Sequence, residues 1–186
     1  MTGRLVILDR DGVVNHDSED FIKSPAEWRP IDGSIEAIAR LSAAGFTVAI
    51  ASNQSGLARK LLDRPALEAI HDKLRKAVRD AGGDLGRIAY CPHHPDDNCD
   101  CRKPKPGLLK TLARNYGVSL SHVPVIGDSL RDIDAALAVG ARPMLVLTGN
   151  GAATRDELDR QGRAVETYAD LARAADELIA GLKGRK

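Results

Sequence analysis

Two carboxylates directly follow the first apolar run of the chain, in residues 9–12 (Asp-Arg-Asp-Gly). Side chains two positions apart on a strand point to the same side, so Asp9 and Asp11 would leave the strand together. One carboxylate of such a pair can attack as a nucleophile while the other exchanges protons, and a divalent cation offsets their repulsion. Asp and Gly also form ordinary turns, so this segment alone leaves both interpretations open.

Polar segments also follow two later apolar runs. Residues 52–56 (Ser-Asn-Gln-Ser-Gly) offer hydroxyl and amide groups that could hold a phosphoryl group, although a capped loop is the simpler interpretation of this segment alone. Asp128 follows another run and is either a metal ligand or the N-cap of a helix, with Asp132 one helical turn further on. Oxygen ligands alone favour Mg²⁺ as the ion.

A third polar segment carries all three cysteines of the chain. Cys91, His93, Cys99 and Cys101 supply a Cys₃His set with the spacing of a closed, structural zinc site. His93 is preferred to His94 because Cys-x-His then mirrors Cys-x-Cys. Three free cysteines in a proline-rich loop are the alternative, but such a loop has no apolar residues to fold it, whereas metal binding supplies that free energy.

Two cations come directly after the last cysteine. A zinc ion bound by the loop would fix the position of Arg102 and Lys103. Beside a cluster of carboxylates and Mg²⁺, two fixed cations would suit a phosphate dianion, although a solvated basic stretch is the alternative.

The elements that must position these residues alternate between strand and helix patterns. Strands are predicted at residues 5–8, 47–51, 88–90, 123–126 and 144–147, and helices at residues 34–44, 65–81, 107–116, 130–139 and about 169–182. Residues 149–163 are expected to form a loop with a poorly defined helix. This order predicts an α/β fold, a three-layer Rossmann-like parallel sheet with helices on both faces. Ligands bind such sheets beyond the carboxyl ends of the strands, which is where the polar segments lie.

Composition sets the broad class of the protein. The 186 residues include 27 Lys+Arg and 26 Asp+Glu, a formal net charge of +1, with 43% apolar and 28% charged residues. One domain over residues 1–186 is expected, because a chain of this length buries roughly 70% of its unfolded surface. The balanced charge argues against a nucleic-acid partner. No apolar run approaches a bilayer span and no signal-peptide pattern opens the chain, so we expect no membrane partner and a cytoplasmic location.

Taken together, residues 9–12, Ser52-Asn53-Gln54, Lys103 and Gly127-Asp128 resemble the four motifs of the haloacid-dehalogenase-like phosphatases. The cysteine loop at 91–107 looks like that of the zinc-containing branch, which has a minimal cap. The resemblance covers about residues 4–150.

The resemblance implies roles for individual residues. Asp9 would be the nucleophile, Asp11 the general acid and base, and Ser52 and Lys103 would stabilise the transferring phosphoryl group. Asp9, Asp128 and the backbone carbonyl of Asp11 would hold Mg²⁺, and the zinc would be structural. Substrate contacts would come from Asp17, Ser18, Glu19, Asp20, Asn53, Gln54, Ser55, Arg102 and Ser129. Ser129 stands where some relatives have Lys, and residues 17–20 are more acidic than some substrate loops of the family.

The resemblance also implies a small sugar bisphosphate as substrate, and we expect a monomer. A histidinol-phosphate phosphatase is the nearest alternative, but its second motif commonly reads Asn-Gln-Asp-Gly, whereas Ser55 stands in the third position here. A polynucleotide phosphatase is disfavoured by the net charge and the zinc loop. A zinc-stabilised binding module without activity is a third alternative. It is disfavoured because every carboxylate that catalysis would need is present in the sequence.

Overall fold

A six-stranded parallel sheet with the order β3-β2-β1-β4-β5-β6 forms the centre of the molecule, in a computed structural model that describes residues 4–183. The strands are β1 (Arg4–Leu8), β2 (Phe46–Asn53), β3 (Ile88–Cys91), β4 (Pro124–Gly127), β5 (Arg142–Val146) and β6 (Glu166–Tyr168). The helices are α1 (Ser34–Ala43), α2 (Arg64–Asp80), α3 (Gly107–Tyr116), α4 (Leu130–Leu137), α5 (Gly151–Arg160) and α6 (Leu171–Lys183), and a short 3₁₀ helix spans Pro95–Asp97.

The sheet is buried on both faces because its central strands are apolar at successive positions. In β1, Val6 and Leu8 join a core with α1, α2 and α6, whereas Leu5 and Ile7 face the opposite core with α3 and α4. On that second face, α5 packs through Leu158. The predicted three-layer α/β fold is confirmed.

Helix ends in the structure follow local side-chain chemistry. The Asp63 side chain accepts a hydrogen bond from the Ala66 N–H at 2.8 Å, and Pro65 occupies the first turn of α2. Ser129 and Asp132 form a reciprocal capping box at the start of α4. The N-cap of this helix is therefore Ser129, which leaves Asp128 free of the capping role that the sequence allowed.

One sequence prediction needs correction, and one strand was missed. Residues 149–163, expected as a loop with a poorly defined helix, contain the regular helix α5 at Gly151–Arg160. The strand β6 was not predicted, because Glu166–Tyr168 is a three-residue, mostly exposed edge strand with no apolar run to reveal it. Elsewhere, helix and strand ends differ from the predicted bounds by up to two residues.

The segments that follow β1 and β2 are compact. Between β1 and α1, residues 9–33 contain only two isolated β-bridges, both through Asn15. Between β2 and α2, residues 54–63 form turns. No cap domain is inserted at either point in the described chain, so the carboxyl edge of the sheet is covered by these loops and by the cysteine loop. No helix within residues 4–183 has the length and apolar character needed to span a membrane.

Candidate active site

Acidic residues from β1 and β4 meet at the carboxyl edge of the sheet. The Asp9 N–H donates to the Ile126 carbonyl at 2.9 Å, which brings the end of β1 beside the end of β4. Carboxylate oxygens of Asp9, Asp128 and Asp132 lie within 4.8 Å of one another. The adjacency of the first and fourth strands thus brings together residues more than a hundred positions apart in the chain.

Two glycines leave room for the Asp128 carboxylate, and an asparagine donates a hydrogen bond to it. Any Cβ at Gly12 or Gly149, both with positive φ, would overlap that carboxylate. The backbone N–H of Asn150 donates to Asp128 Oδ2 at 2.8 Å, and Thr148 Oγ1 donates to the Gly12 carbonyl at 2.7 Å. Sequence reasoning missed this loop, although it follows β5 just as the recognised motifs follow their own strands.

The buried acids carry more negative charge than the chain itself neutralises. Burial raises the pKa of Asp9 to about 8, with Lys103 opposing the shift and the neighbouring carboxylates adding to it. Burial likewise raises the pKa of Asp128 to about 6, against hydrogen bonds from Asn150. A divalent cation between Asp9 and Asp128 would supply the missing positive charge, so the donor set fits a hard ion such as Mg²⁺.

Lys103 is the buried cation of this cluster. Its ammonium group contacts Asp9 Oδ1 at 2.9 Å, donates to Asp132 Oδ1 at 2.6 Å and donates to the Ala51 carbonyl at 2.7 Å. Burial opposes its ionisation, but Asp132 and Asp9 outweigh burial and hold the pKa of Lys103 above its usual range. The other Asp132 oxygen accepts hydrogen bonds from the Ser129 N–H and hydroxyl at 3.1 and 2.6 Å. Asp132 therefore positions Lys103 and Ser129, and both of its oxygens are engaged.

Asp11 is held by a buried arginine that the sequence analysis did not identify. Arg10 Nε and Nη2 donate to the two Asp11 oxygens, each at 3.0 Å, and Arg10 is only 1% exposed. Gln54 Nε2 donates to Asp11 at 2.8 Å, and its Oε1 accepts from Arg10 at 3.1 Å. Asn15 adds a further hydrogen bond to Asp11 at 2.9 Å. Gln54 thus contacts Asp11 and Arg10 in this structure, which makes it a positioning residue for the carboxylate.

Behind Arg10 lies the buried His71 of α2, whose Nε2 is 3.4 Å from Arg10 Nη1. Burial, together with the positive charges of Arg10 and Arg75, lowers the pKa of His71 to about 3, while Asp11 opposes the shift. Glu68 lies 3.8 Å from the other ring nitrogen. A neutral His71 can accept from Arg10 and so hold it in place.

We expect His71 to make the protein sensitive to acid. Because its pKa is about 6.5 in the unfolded chain and about 3 in the folded chain, the unfolded state binds an extra proton between these values. The contribution of His71 to stability is therefore fully present above pH 6.5, and about 2 kcal/mol of it is lost by pH 5. Urea unfolding at pH 7.5 and pH 5 measures the loss.

The variant His71→Gln should lose correspondingly less stability between the two pH values than the wild type. The exposed His122, replaced by Asn to suit its positive φ, is the control and should leave the loss unchanged. An equal loss in His71→Gln and wild type would contradict the prediction.

Most of the predicted catalytic, substrate-binding and magnesium-binding residues surround one cavity of about 360 Å³. The predicted residues at its wall are Asp9, Asp11, Asp17, Ser18, Ser52, Asn53, Gln54, Ser55, Arg102, Lys103, Asp128 and Ser129. Glu19 and Asp20 are exposed and are not among the described residues that line it. A more open cavity of about 720 Å³ lies beside α2 and contains none of these carboxylates, so the chemistry places the site in the smaller one.

Asn53 connects β2 to the cysteine loop. Its Oδ1 accepts from the Lys103 N–H at 3.0 Å, and its Nδ2 donates to the Lys103 carbonyl at 3.1 Å. This pair of bonds fixes the backbone of Lys103 beside the carboxylates. The structure therefore gives Asn53 a positioning contact, and the substrate contact that the resemblance implies stays a prediction.

The cysteine loop gathers the four predicted zinc ligands. Ligand atoms of Cys91, His93, Cys99 and Cys101 lie within 4.8 Å of one another. Cys99 Sγ is 3.5 Å from both of the other sulfurs, and His93 Nδ1 is 3.2 Å from Cys101 Sγ. Two sulfurs on a tetrahedral zinc ion are about 3.8 Å apart, so this cluster fits the ion closely. His94 instead accepts a hydrogen bond from Asp96 and caps the 3₁₀ helix.

The parallel sheet, the acidic cluster on its carboxyl edge and the buried lysine define a haloacid-dehalogenase-like hydrolase. The family model described as HAD-hydrolase-like matches residues 100–174, and the model described as polynucleotide kinase 3 phosphatase matches residues 5–130.

Proteins that are similar to this chain over nearly its full length identify a narrower family within this class. A D-glycero-beta-D-manno-heptose-1,7-bisphosphate 7-phosphatase from Pseudomonas aeruginosa is 53% identical over 96% of this chain and 99% of its own. The crystal structure of the D,D-heptose 1,7-bisphosphate phosphatase from B. bronchiseptica, complexed with magnesium and phosphate, is 51% identical. It has a TM-score of 0.91 over 96% of this chain and 99% of its own. The corresponding structure from Burkholderia thailandensis is 37% identical with a TM-score of 0.74, over 95% and 99% of the two chains.

The chain belongs to the haloacid-dehalogenase-like phosphatases and, among them, to the family of these heptose-bisphosphate phosphatases. It is a phosphoric monoester hydrolase.

Proposed function

We propose that the protein is a Mg²⁺-dependent phosphatase that removes the 7-phosphate of D-glycero-D-manno-heptose 1,7-bisphosphate. One observation carries the proposal: Asp9, Asp11, Asp128 and Lys103 converge on one cavity in a chain that matches phosphatases of this name over nearly its full length. The product would supply the synthesis of ADP-heptose for the lipopolysaccharide core.

Asp9 is the nucleophile in the proposed reaction. Its carboxylate attacks phosphorus in line with the sugar oxygen, and the bond from phosphorus to that oxygen breaks. Asp11 gives its proton to the departing oxygen, which leaves an aspartyl-phosphate on Asp9. A water molecule then loses a proton to Asp11 and attacks the same phosphorus; the bond from phosphorus to the Asp9 oxygen breaks, which releases inorganic phosphate and restores the Asp9 carboxylate.

Lys103 and Ser52 hold the transferring phosphoryl group in this scheme. The Lys103 ammonium already contacts Asp9 Oδ1 at 2.9 Å, so a phosphoryl group beside Asp9 would lie within its reach. Asp9, Asp128 and the Asp11 carbonyl would hold Mg²⁺, which lowers the negative charge facing the nucleophile and neutralises the phosphoryl oxygens. The zinc loop would keep Lys103 at the required position, since Lys103 follows Cys101 by two residues.

Side-by-side measurement of kcat/KM tests the substrate. Both anomers of the heptose 1,7-bisphosphate, histidinol phosphate and a 3′-phosphorylated oligonucleotide are compared, the last because of the polynucleotide phosphatase model. We expect a heptose bisphosphate to exceed the other two by at least tenfold, about 1.4 kcal/mol of transition-state discrimination. A preference for histidinol phosphate or the oligonucleotide would overturn the proposal, and no phosphate release from any ester would favour the binding module.

Removal of Mg²⁺ should abolish turnover, because the buried acids then face the substrate phosphate without a compensating cation. Dialysis against EDTA, with phosphate release as the measurement, should give a loss that added Mg²⁺ reverses. Zinc content, measured on the same samples, identifies any activity loss that comes from the cysteine loop instead. Full activity after exhaustive chelation of both metals would contradict the prediction.

A further inference from the structure

Asn15 lies between Asp11 and a buried tryptophan that the proposed mechanism does not use. Its side chain is fully buried, and its Nδ2 donates to Asp11 Oδ1 and to the His16 carbonyl, each at 2.9 Å. Its Oδ1 accepts from the indole Nε1 of Trp28, also at 2.9 Å. The nitrogen and the oxygen of this amide are therefore both engaged by neighbouring groups.

The Trp28 indole and the Asp11 carboxylate require the same orientation of the Asn15 amide. An indole N–H can only donate, and an ionised carboxylate can only accept. Turning the amide over would place its nitrogen against the indole N–H and its oxygen against the carboxylate. Without the indole donor, the buried Asn15 Oδ1 would lose its partner, which is costly, so we expect the side chain to shift away from Asp11.

Trp28 is itself held by the core and by α2. It is only 2% exposed and belongs to the apolar core that α1, α2 and α6 form with the sheet. Lys73 Nζ of α2 donates to the Trp28 carbonyl at 3.0 Å and to the Pro25 carbonyl at 2.6 Å, and it lies 5.5 Å from the centre of the Trp28 ring. The position of the indole N–H is thus set by packing outside the active-site cavity.

Backbone hydrogen bonds hold the Asn15 main chain independently of its side chain. Asn15 forms an isolated β-bridge with Pro30, and the His16 N–H donates to the Arg29 carbonyl at 3.0 Å. The Gly12 N–H donates to the Asn15 carbonyl at 2.7 Å. Loss of the indole donor should therefore change the orientation of the amide and leave the course of the loop intact.

The hydrogen bond from Asn15 matters because each Asp11 oxygen is held by two donors. Arg10 donates to both oxygens, Gln54 adds the second hydrogen bond on Oδ2, and Asn15 adds the second on Oδ1. In the proposed reaction Asp11 gives a proton to a departing sugar oxygen, which is a poor leaving group without it. The proton must lie close to that oxygen as the bond breaks, so a small rotation of the carboxyl group slows the step.

We propose that Trp28 is a positioning residue for the reaction: through Asn15, its indole N–H keeps Asp11 aligned with the departing sugar oxygen. This inference rests on the proposed function, in which Asp11 is the general acid. It predicts that a core tryptophan affects turnover in a way that depends on the leaving group. An aryl phosphate whose phenolate leaves without a proton does not need the aligned acid.

The test replaces Trp28 by Phe, which removes the N–H and keeps an apolar ring in the core. We expect kcat/KM for D-glycero-D-manno-heptose 1,7-bisphosphate to fall about tenfold, through kcat and not KM, whereas the value for p-nitrophenyl phosphate changes less than about twofold. The ratio kcat/KM reports only the steps up to departure of the alcohol or phenol, so the later use of Asp11 as a base does not enter.

Tyr116→Phe is the matched control, because it also removes one polar group from an aromatic side chain. The Tyr116 hydroxyl accepts from the Arg87 N–H at 2.7 Å, and Tyr116 is not among the described residues that line the cavity. This variant should leave kcat/KM for both esters within about twofold of wild type.

Asn15→Ala tests the route from Trp28 to Asp11 and needs the sugar ester alone. Its loss should be at least as large as that of Trp28→Phe, and adding Trp28→Phe to it should lower kcat/KM by less than about a further twofold. The inference is overturned by equal losses on both esters in Trp28→Phe, by unchanged turnover of the bisphosphate, or by losses that multiply in the double variant. A wild-type enzyme that fails to hydrolyse the bisphosphate would instead overturn the proposed function.

Discussion

Replacing Asp9 by Asn should lower kcat by at least about 10³-fold while the fold is kept. The amide has the shape of the carboxylate but cannot form the aspartyl-phosphate, so the two-step route is lost. The fold should tolerate the neutral amide because burial already disfavours the charged form of Asp9, whose pKa it raises to about 8. Lys103 also keeps its ion pair with Asp132 in the variant. Phosphate release and circular dichroism measure the two effects.

The exposed Asp32 provides the matched control for this experiment. Asp32→Asn removes one carboxylate outside the cavity and should leave kcat within about twofold of wild type. Residual activity of Asp9→Asn above a few per cent of wild type would assign the nucleophile to another residue. Trapping of radioactive phosphate on the wild-type protein, and its absence in Asp9→Asn, provides direct evidence for the covalent step.

Replacing Cys101 by Ala should abolish zinc binding and lower kcat/KM at least about a hundredfold. Burial raises the pKa of the Cys101 thiol to about 12, so zinc binding has to displace its proton. The alanine variant keeps only three of the four ligands, which hold the ion poorly. The loop carries Lys103 into contact with Asp9, so loss of the ion acts directly on the active site. Zinc content and kinetics are measured on the same preparation.

His94 distinguishes loss of the ion from general damage to the loop. Its side chain caps the 3₁₀ helix and takes no part in the sulfur cluster, so His94→Ala should retain one zinc ion per chain and most of the activity. Retention of stoichiometric zinc by Cys101→Ala would contradict the proposed ligand set. Loss of zinc with unchanged kinetics would show that the loop holds Lys103 without the metal.

Much of the fold follows from local pattern. β1 is apolar at every position from Leu5 to Leu8 and β2 from Val48 to Ala51, which identifies strands covered on both faces. Their alternation with segments of helical periodicity predicts a parallel sheet. The cysteine cluster was also predictable, since its ligands lie within eleven residues and their spacing is fixed by the geometry of the ion. The edge strand β6 gave no such signal, because it buries little.

By itself, the sequence determined which residue types follow each strand and therefore which chemistry the carboxyl edge of the sheet can carry. Only the tertiary structure decided what these residues contact: Arg10 forks onto Asp11 with His71 behind it, Asn150 supports Asp128, and Asn53 fixes Lys103. The reason is physical, since hydrogen bonding and charge balance depend on distances between atoms far apart in the chain, whereas periodicity reports only whether a side chain is buried.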